Sequence, residues 1–290
     1  MMPAKPDWLR KRLPVGADVQ AMEGNLEQNR IHTICQEACC PNQGECFSRG
    51  VATFLILGKV CTRNCRFCAV DSGTPEALDS GEPLRLAAEV KRLGLQFVVI
   101  TSVTRDDLHD GGAGHFARVI ETLRRECPGV GIEVLVPDFQ GSSAALRTVV
   151  DAAPEVLNHN VETVPRLYAS VRPQADYRRS MNLLREAKAM NPSLTTKSGL
   201  MVGLGETREE VLEVMVDLRS ASCDVITIGQ YLNPSEAHHP VVEYVKPEIF
   251  KKYRRDALRL GFRDAASGPF VRSSYMAETY YKKPGTRDKG

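Results

Sequence analysis

From Thr53 to Ile228, short apolar runs rich in β-branched residues alternate with longer amphipathic stretches, and this alternation constrains the fold of the 290-residue chain more than any other feature. A strand covered on both faces reads as a continuous apolar run, whereas a returning helix repeats its apolar positions every three or four residues. Six runs fit the first description: Thr53–Leu57, Phe97–Thr101, Ile132–Val136, Val156–Asn158, Thr196–Val202 and Val225–Ile228. A helix is expected after each. The clearest are Pro83–Leu93, with Leu84, Ala87, Ala88 and Leu95 near helical spacing, and Thr207–Arg219, with Val211, Leu212, Met215 and Leu218. Thr207 is a natural cap for the second, with Glu209 and Glu210 in the first turn.

Six βα units are too few to close an eight-stranded barrel. The expected architecture is therefore α/β, a partial (β/α)6 TIM-type barrel over 52–261, although the pattern alone leaves a doubly wound sheet open. Either way ligands gather at the carboxyl ends of the strands. The segments 1–51 and 262–290 fall outside the repeat, and the second reads as loop-like and polar. With 38 basic against 36 acidic side chains, the net charge of +2 gives no electrostatic reason to expect nucleic acid or an anionic membrane as partner. No stretch approaches the roughly 18 apolar residues of a membrane helix, and MMPAKPDWLRKRLP lacks the apolar run of a secretion signal. A cytoplasmic location is expected.

In a reducing compartment, clustered cysteines are metal ligands or catalytic groups more often than disulfides. Of nine cysteines, seven fall between Cys35 and Cys68, while Cys127 and Cys223 stand alone beside apolar segments and read as small buried side chains. The string CTRNCRFC puts Cys61, Cys65 and Cys68 on the loop that follows the first strand. Structural zinc sites close with four protein ligands, but three thiolates on a [4Fe–4S] cube leave one iron open. A second group, Cys35, Cys40 and Cys46 in CQEACCPNQGEC, would suit a zinc site or half of a ferredoxin-like site on spacing alone, with Cys39 as the odd member.

The first triad, placed after a strand and with Phe67 between its last two cysteines, resembles the signature of the radical S-adenosylmethionine superfamily. That resemblance implies S-adenosylmethionine chelated to the open iron and cleaved reductively to a 5′-deoxyadenosyl radical. With both triads, the chain resembles lipoyl synthase, and the likeness runs through ICQEACCPNQGECF, VITSVTRDDLHDGGA, NHNVET, YRRS, KSGLMVGLGET and GPFVRSSY. It implies two [4Fe–4S] clusters, the auxiliary one held by Cys35, Cys40 and Cys46 in an N-terminal extension and by a serine of RSSY in a C-terminal extension. Ser274 is the choice over Ser273, although on residues alone both would be read as capping a turn. Cys40, not Cys39, has the family spacing.

The resemblance further implies insertion of two sulfur atoms, donated by the auxiliary cluster, at C6 and C8 of an octanoyl-lysine. The partners implied are an octanoylated lipoyl carrier protein, such as an H protein or the lipoyl domain of a dehydrogenase complex, and an electron donor such as ferredoxin or flavodoxin. Gly111 and Gly112, after the second strand, are expected near the methionine part of the cofactor, with a tight turn as the alternative use. Asn158, Asn160, Glu162, Lys197 and Glu206 are polar groups near the fourth and fifth strands that suit ribose and carboxylate, and Arg178 or Arg179 matches a carboxylate bidentately. Two glycines of GLGET lack the third of a dinucleotide loop. His238 and His239 read as exposed loop residues rather than metal ligands, and Lys5, Arg10, Lys11 and Arg12 as a solvated terminus or a contact for an acidic carrier. A biotin-synthase-like enzyme would share only the Cys61 triad, and an iron–sulfur electron carrier would close each metal with four ligands.

Overall fold

A computed structural model describes residues 5–10 and 16–280 of the chain; Lys11 and Arg12 lie outside them. Eight strands form one sheet among the described residues: β1 His32–Thr33, β2 Thr53–Ile56, β3 Phe97–Ser102, β4 Gly131–Leu135, β5 Val156–Asn158, β6 Thr195–Val202, β7 Val225–Gln230 and β8 Asp264–Gly268. They lie side by side in chain order. β1 is antiparallel to β2, and every later pair is parallel. A doubly wound sheet reverses its strand order at a switch point, and no reversal occurs here.

The helices are α1 Ala17–Gln28, α2 Ile34–Glu37, α3 Gln43–Ser48, α4 Glu82–Arg92, α5 Ala113–Glu126, α6 Ser143–Asp151, α7 Tyr168–Val171, α8 Tyr177–Met190, α9 Arg208–Ser220 and α10 Pro247–Arg259. Thr207 caps α9 in a full capping box with Glu210, as the sequence predicts. The face expected for α4 is corrected: Leu84 and Ala88 are exposed, and Leu86, Ala87 and Val90 enter the core. Residues 262–290 are not loop-like throughout, because β8 pairs with β7 from Val225↔Asp264 to Gly229↔Gly268. Its sequence DAASG has no apolar run, so nothing in its pattern marks a strand.

Alternation gives the sheet two different faces. One carries Ile132, Val134, Leu157, Ile226 and Ile228, all buried in the apolar core. The other carries Glu133, Asn158, Lys197, Gly199, Thr227 and Gly229, with Asn158 level with Lys197 and Gly199 level with Thr227. The C-terminal segment crosses this polar, glycine-rich face. A Cβ on Gly229 would lie 2.1 Å from the Val271 carbonyl oxygen, and one on Gly199 would lie 3.0 Å from Ser273 Oγ. At Gly229 the neighbour is backbone, so only glycine fits, whereas at Gly199 the space is taken by the side-chain oxygens of Thr227, Asn160 and Ser273.

Candidate active site

Two segments from opposite ends of the chain meet beside β2. The N-terminal one is a pair of short helices: Thr33 caps α2, which carries Cys35, and α3 carries Cys46. Between them Cys39 takes φ +49° and is exposed. Contacts among the described residues tie the C-terminal segment to the N-terminal one. Asn42 Nδ2 donates to the Phe270 carbonyl at 2.7 Å, Tyr275 Oη donates to Glu45 Oε1 at 2.8 Å, and Arg49 pairs with Glu278 at 3.7 Å. One cavity results, lined by Cys35, Cys40, Cys46, Arg272 and Ser274. Ser273 points elsewhere, its Oγ accepting from Asn160 Nδ2 at 2.6 Å. Cys39 does not line the cavity.

The second triad sits on the loop that leaves β2 through Leu57 and Gly58, both at positive φ. Leu57 is thus not the last strand residue but the start of this turn, and Arg105 Nη1 holds its carbonyl at 3.2 Å. Cys61 is fixed by ladder contacts to Ser72, and its Sγ accepts from the amides of Arg63 and Thr104 at 3.4 and 3.3 Å. Cys68 N–H closes a turn on the Cys65 carbonyl at 3.0 Å. Phe67 is half-buried against the core that contains Tyr231. Burial pushes the thiols of Cys35 and Cys68 up to about 12 and that of Cys65 to about 11. Such thiols ionise readily only when a cation shares the site, which is how a thiolate ligand set is made.

At the carboxyl end of β5 and just beyond it, Asn158 and Asn160 each leave a buried Oδ1 without a partner among the described residues. Glu162 holds φ +63°, a costly conformation for a side-chain-bearing residue, while its backbone extends the β6 ladder through Gly199 and Met201. Burial raises its carboxyl, against the pull of Arg172, Asn160 and Arg272. After burial, the Glu162 carboxylate adds to the upward push on Cys65 and Cys68. Three thiols and a hydroxyl lining one cavity, and orphaned oxygens at the end of β5, fit cluster ligation and a polar cofactor.

Other expected contacts have local uses. Lys197 is fully buried against Glu133, at 2.9 and 3.0 Å. Both oxygens of Glu206 accept amides of its own turn, from Gly203 at 2.6 Å and Leu204 at 2.9 Å. Gly111 and Gly112 make the turn before α5 at φ +60° and +90°, and a Cβ on Gly112 would strike Leu57 Cδ1 at 2.4 Å. Of the arginines in YRRS, Arg178 is exposed and Arg179 turns inward to Asp138 at 3.1 Å.

A family description, the radical SAM superfamily, matches residues 55–218. Lipoyl synthase of Caldanaerobacter subterraneus subsp. tengcongensis is 60% identical over 274 residues, 94% of this chain and 96% of that protein. The chain belongs to the lipoyl synthase family. Lipoyl synthases of Caldicellulosiruptor saccharolyticus and Syntrophotalea carbinolica, at 56% and 54% identity, cover 96% and 97% of the chain and are themselves covered to 98% and 91%. Among solved structures, methylornithine synthase superposes with a TM-score of 0.56 at 17% identity, covering 87% of this chain and 74% of that one. HydG, a maturase of the [FeFe]-hydrogenase, gives 0.57 at 15%, covering 85% and 66%. These two share the α/β fold.

For this lipoyl synthase family member, reading by motif passed over groups that hold the site together. His238 and His239 are half-buried, not exposed: the first donates from Nε2 to the Cys68 carbonyl at 3.0 Å, and the second from Nε2 to the Leu204 carbonyl at 3.0 Å. Arg172 is buried, caps the carbonyls of Asn160 and Val161, and lowers the cost of charge on Cys65. None has a sequence signal, because each acts on backbone atoms or charges distant in the chain.

Proposed function

We propose that this protein completes a lipoyl group, inserting two sulfur atoms at C6 and C8 of an octanoyl chain carried on a lysine of a lipoyl carrier protein. The observation that carries this reading is the single cavity shared by Cys35, Cys40, Cys46 and Ser274. Cys61, Cys65 and Cys68 would hold the cluster that leaves one iron for S-adenosylmethionine. Cys35, Cys40, Cys46 and Ser274 would hold the auxiliary cluster, where a hard oxygen ligand suits iron that must be released. When bound, these groups supply a 5′-deoxyadenosyl radical, hydrogen abstraction and sulfur.

The chain's own residues bind and orient. Asn158 and Asn160 would grip the polar parts of S-adenosylmethionine through the Oδ1 atoms left unpartnered among the described residues, with Glu162 held beside them by Asn160. Phe67, Gly111 and Gly112 would border the same space, whereas Lys197, Glu206 and Arg178 would act from outside direct contact. The sheet would curl as a partial (β/α)6 barrel over 52–261, supported by consecutive parallel order and by a polar inner face, with 1–51 and 262–290 as extensions carrying the auxiliary site. Unactivated C–H bonds offer no acidity to a general base, which explains why no catalytic carboxylate pair is needed. An octanoylated carrier and a one-electron donor such as ferredoxin or flavodoxin would meet the protein in the cytoplasm. No described helix is long and apolar enough to cross a membrane.

Incubating the reconstituted protein anaerobically with reductant, S-adenosylmethionine and an octanoyl-lysine peptide should yield a peptide heavier by two sulfurs, the C–H bonds at C6 and C8 having become C–SH; oxidation to the cyclic disulfide would remove two hydrogens. Deoxyadenosine without sulfur transfer would overturn the reading. Iron counting supplies a second test, at about eight atoms per chain for two cubes. Cys39→Ser should keep about eight and Cys40→Ser about four, since only Cys40 lines the cavity. Equal losses would reject the ligand assignment.

A further inference from the structure

Three motifs noted in the sequence, CTRNC, VTRDD and YRRS, converge with Asp138 on one buried group of charges. Arg63 lies between two cysteines of the triad, and its side chain is 5% exposed. Its Nε and Nη2 donate to Asp106 at 2.6 and 2.9 Å, and its Nη1 and Nη2 donate to Asp138 at 3.0 and 2.6 Å. Asp138 is fully buried and also receives Arg179 at 3.1 Å. Two cations face two carboxylates, so the group is neutral within itself. Around it the loops are stitched together: Thr62 Oγ1 donates to the Thr104 carbonyl at 3.0 Å and accepts from Asp106 N–H at 3.0 Å, while Asp138 Oδ1 accepts from Gln140 N–H at 3.1 Å. Phe139 and Gln140 are held at φ +44° and +51°, a strain that the surroundings must enforce.

We propose that Arg63 is a positioning residue: with Asp106, Asp138 and Arg179 it forms an anchor that presets the Cys61–Cys68 loop against the carboxyl ends of β3 and β4 before any cluster is bound. The proposal rests on the reading of Cys61, Cys65 and Cys68 as cluster ligands. Arginine is required because one planar fork engages two carboxylates at once; lysine offers a single point charge. Removing one member of a buried charged group leaves its partners uncompensated, and the damage falls on the segment they join. That segment is the triad loop. The cavity of Cys35, Cys40, Cys46 and Ser274 is built from other elements and contains none of the four residues.

The test uses the full chain reconstituted anaerobically, as parent, Arg63→Lys and Asp138→Asn. Iron per chain, the electron-paramagnetic signal of the reduced protein and its change on adding S-adenosylmethionine are measured together with the thermal midpoint. The expected result in both variants is loss of up to about four of about eight irons, retention of the auxiliary cluster's signal, and at least a tenfold rise in the S-adenosylmethionine concentration needed for the spectral change. Asp138→Asn keeps the shape of the site, so it reads the charge if Arg63→Lys folds poorly. Full iron with an unaltered spectral response overturns the proposal, as does equal loss of both clusters, which would make the anchor a support of the entire fold. A parent protein that loads no cluster on the Cys61 triad would instead overturn the functional reading, and this inference with it.

Discussion

Replacing Gly229 by alanine is expected to remove about half of the iron, from about eight to about four atoms per chain, and to lower product formation by at least about 100-fold, although no proposed ligand is touched. Gly229 lies level with Met201 on β6 and Gly268 on β8. Its missing side chain leaves room for the Val271 carbonyl, which an added Cβ would meet at 2.1 Å, with Arg272 Nη1 at 3.1 Å. The first obstacle is backbone, so rotamer adjustment cannot relieve it, and crowding of this kind typically costs about 1–3 kcal/mol or more. β7 is paired on both sides, so the segment that crosses it at Val271 and Arg272 is the part expected to shift. Ser274 would then leave the wall of the auxiliary cavity. Gly24→Ala is the control, because nothing lies within 4 Å of a Cβ there and alanine favours helix α1 by up to about 1 kcal/mol. Full iron and normal turnover in Gly229→Ala would show that the C-terminal segment does not depend on the glycine floor.

The parts of this fold legible in the sequence are those whose signal is burial of apolar side chains. All six strands chosen from apolar runs are present, with ends shifted by two residues at most. β8 escaped because DAASG holds no apolar run and only Ala265 is buried, while at its end a Cβ on Gly268 would already touch Val271 Cγ2 at 3.4 Å, so the segment reads as a loop. Helix α4 shows a second limit. Leu84 sits in the first turn beside Pro83 and is 55% exposed, and the core takes Leu86 and Val90 one step further along. Periodicity found the helix and misplaced its face.

The site divides in the same way. Cysteine spacing is local, so both triads could be read from the chain, and the likeness to lipoyl synthase agrees with the relatives found. Which serine of RSSY faces the cavity depends on the path of a segment across the sheet, and there the geometry separates Ser274 from Ser273. Buried charges were the least legible. Arg63, Asp138 and Arg172 are ordinary polar letters until the fold encloses them, and Lys197 and Glu206 looked available because their protein partners lay elsewhere in the sequence or in their own turn.

Lys197 gives the largest expected loss of stability. Its ammonium and the carboxylate of Glu133 are both fully buried, 2.9 and 3.0 Å apart, with Asn158 Nδ2 donating to the same carboxylate at 3.1 Å. Lys197→Met removes the cation and leaves a fully buried carboxylate with Asn158 Nδ2 as its side-chain donor among the described residues. Breaking such a pair costs about 3–5 kcal/mol, a fall of roughly 10 °C in the thermal midpoint for a chain of this size. Replacing both partners is a different experiment, because no charge is then stranded. The double variant Lys197→Met with Glu133→Leu should regain most of the lost stability, as apolar replacements of buried ion pairs commonly do. Thermal unfolding of the cluster-free protein reads this directly. It also separates two roles for the lysine: a contact made chiefly to S-adenosylmethionine would leave the thermal midpoint of Lys197→Met unchanged and weaken cofactor binding alone, whereas the internal pair predicts the reverse order, with stability lost before any cofactor is added.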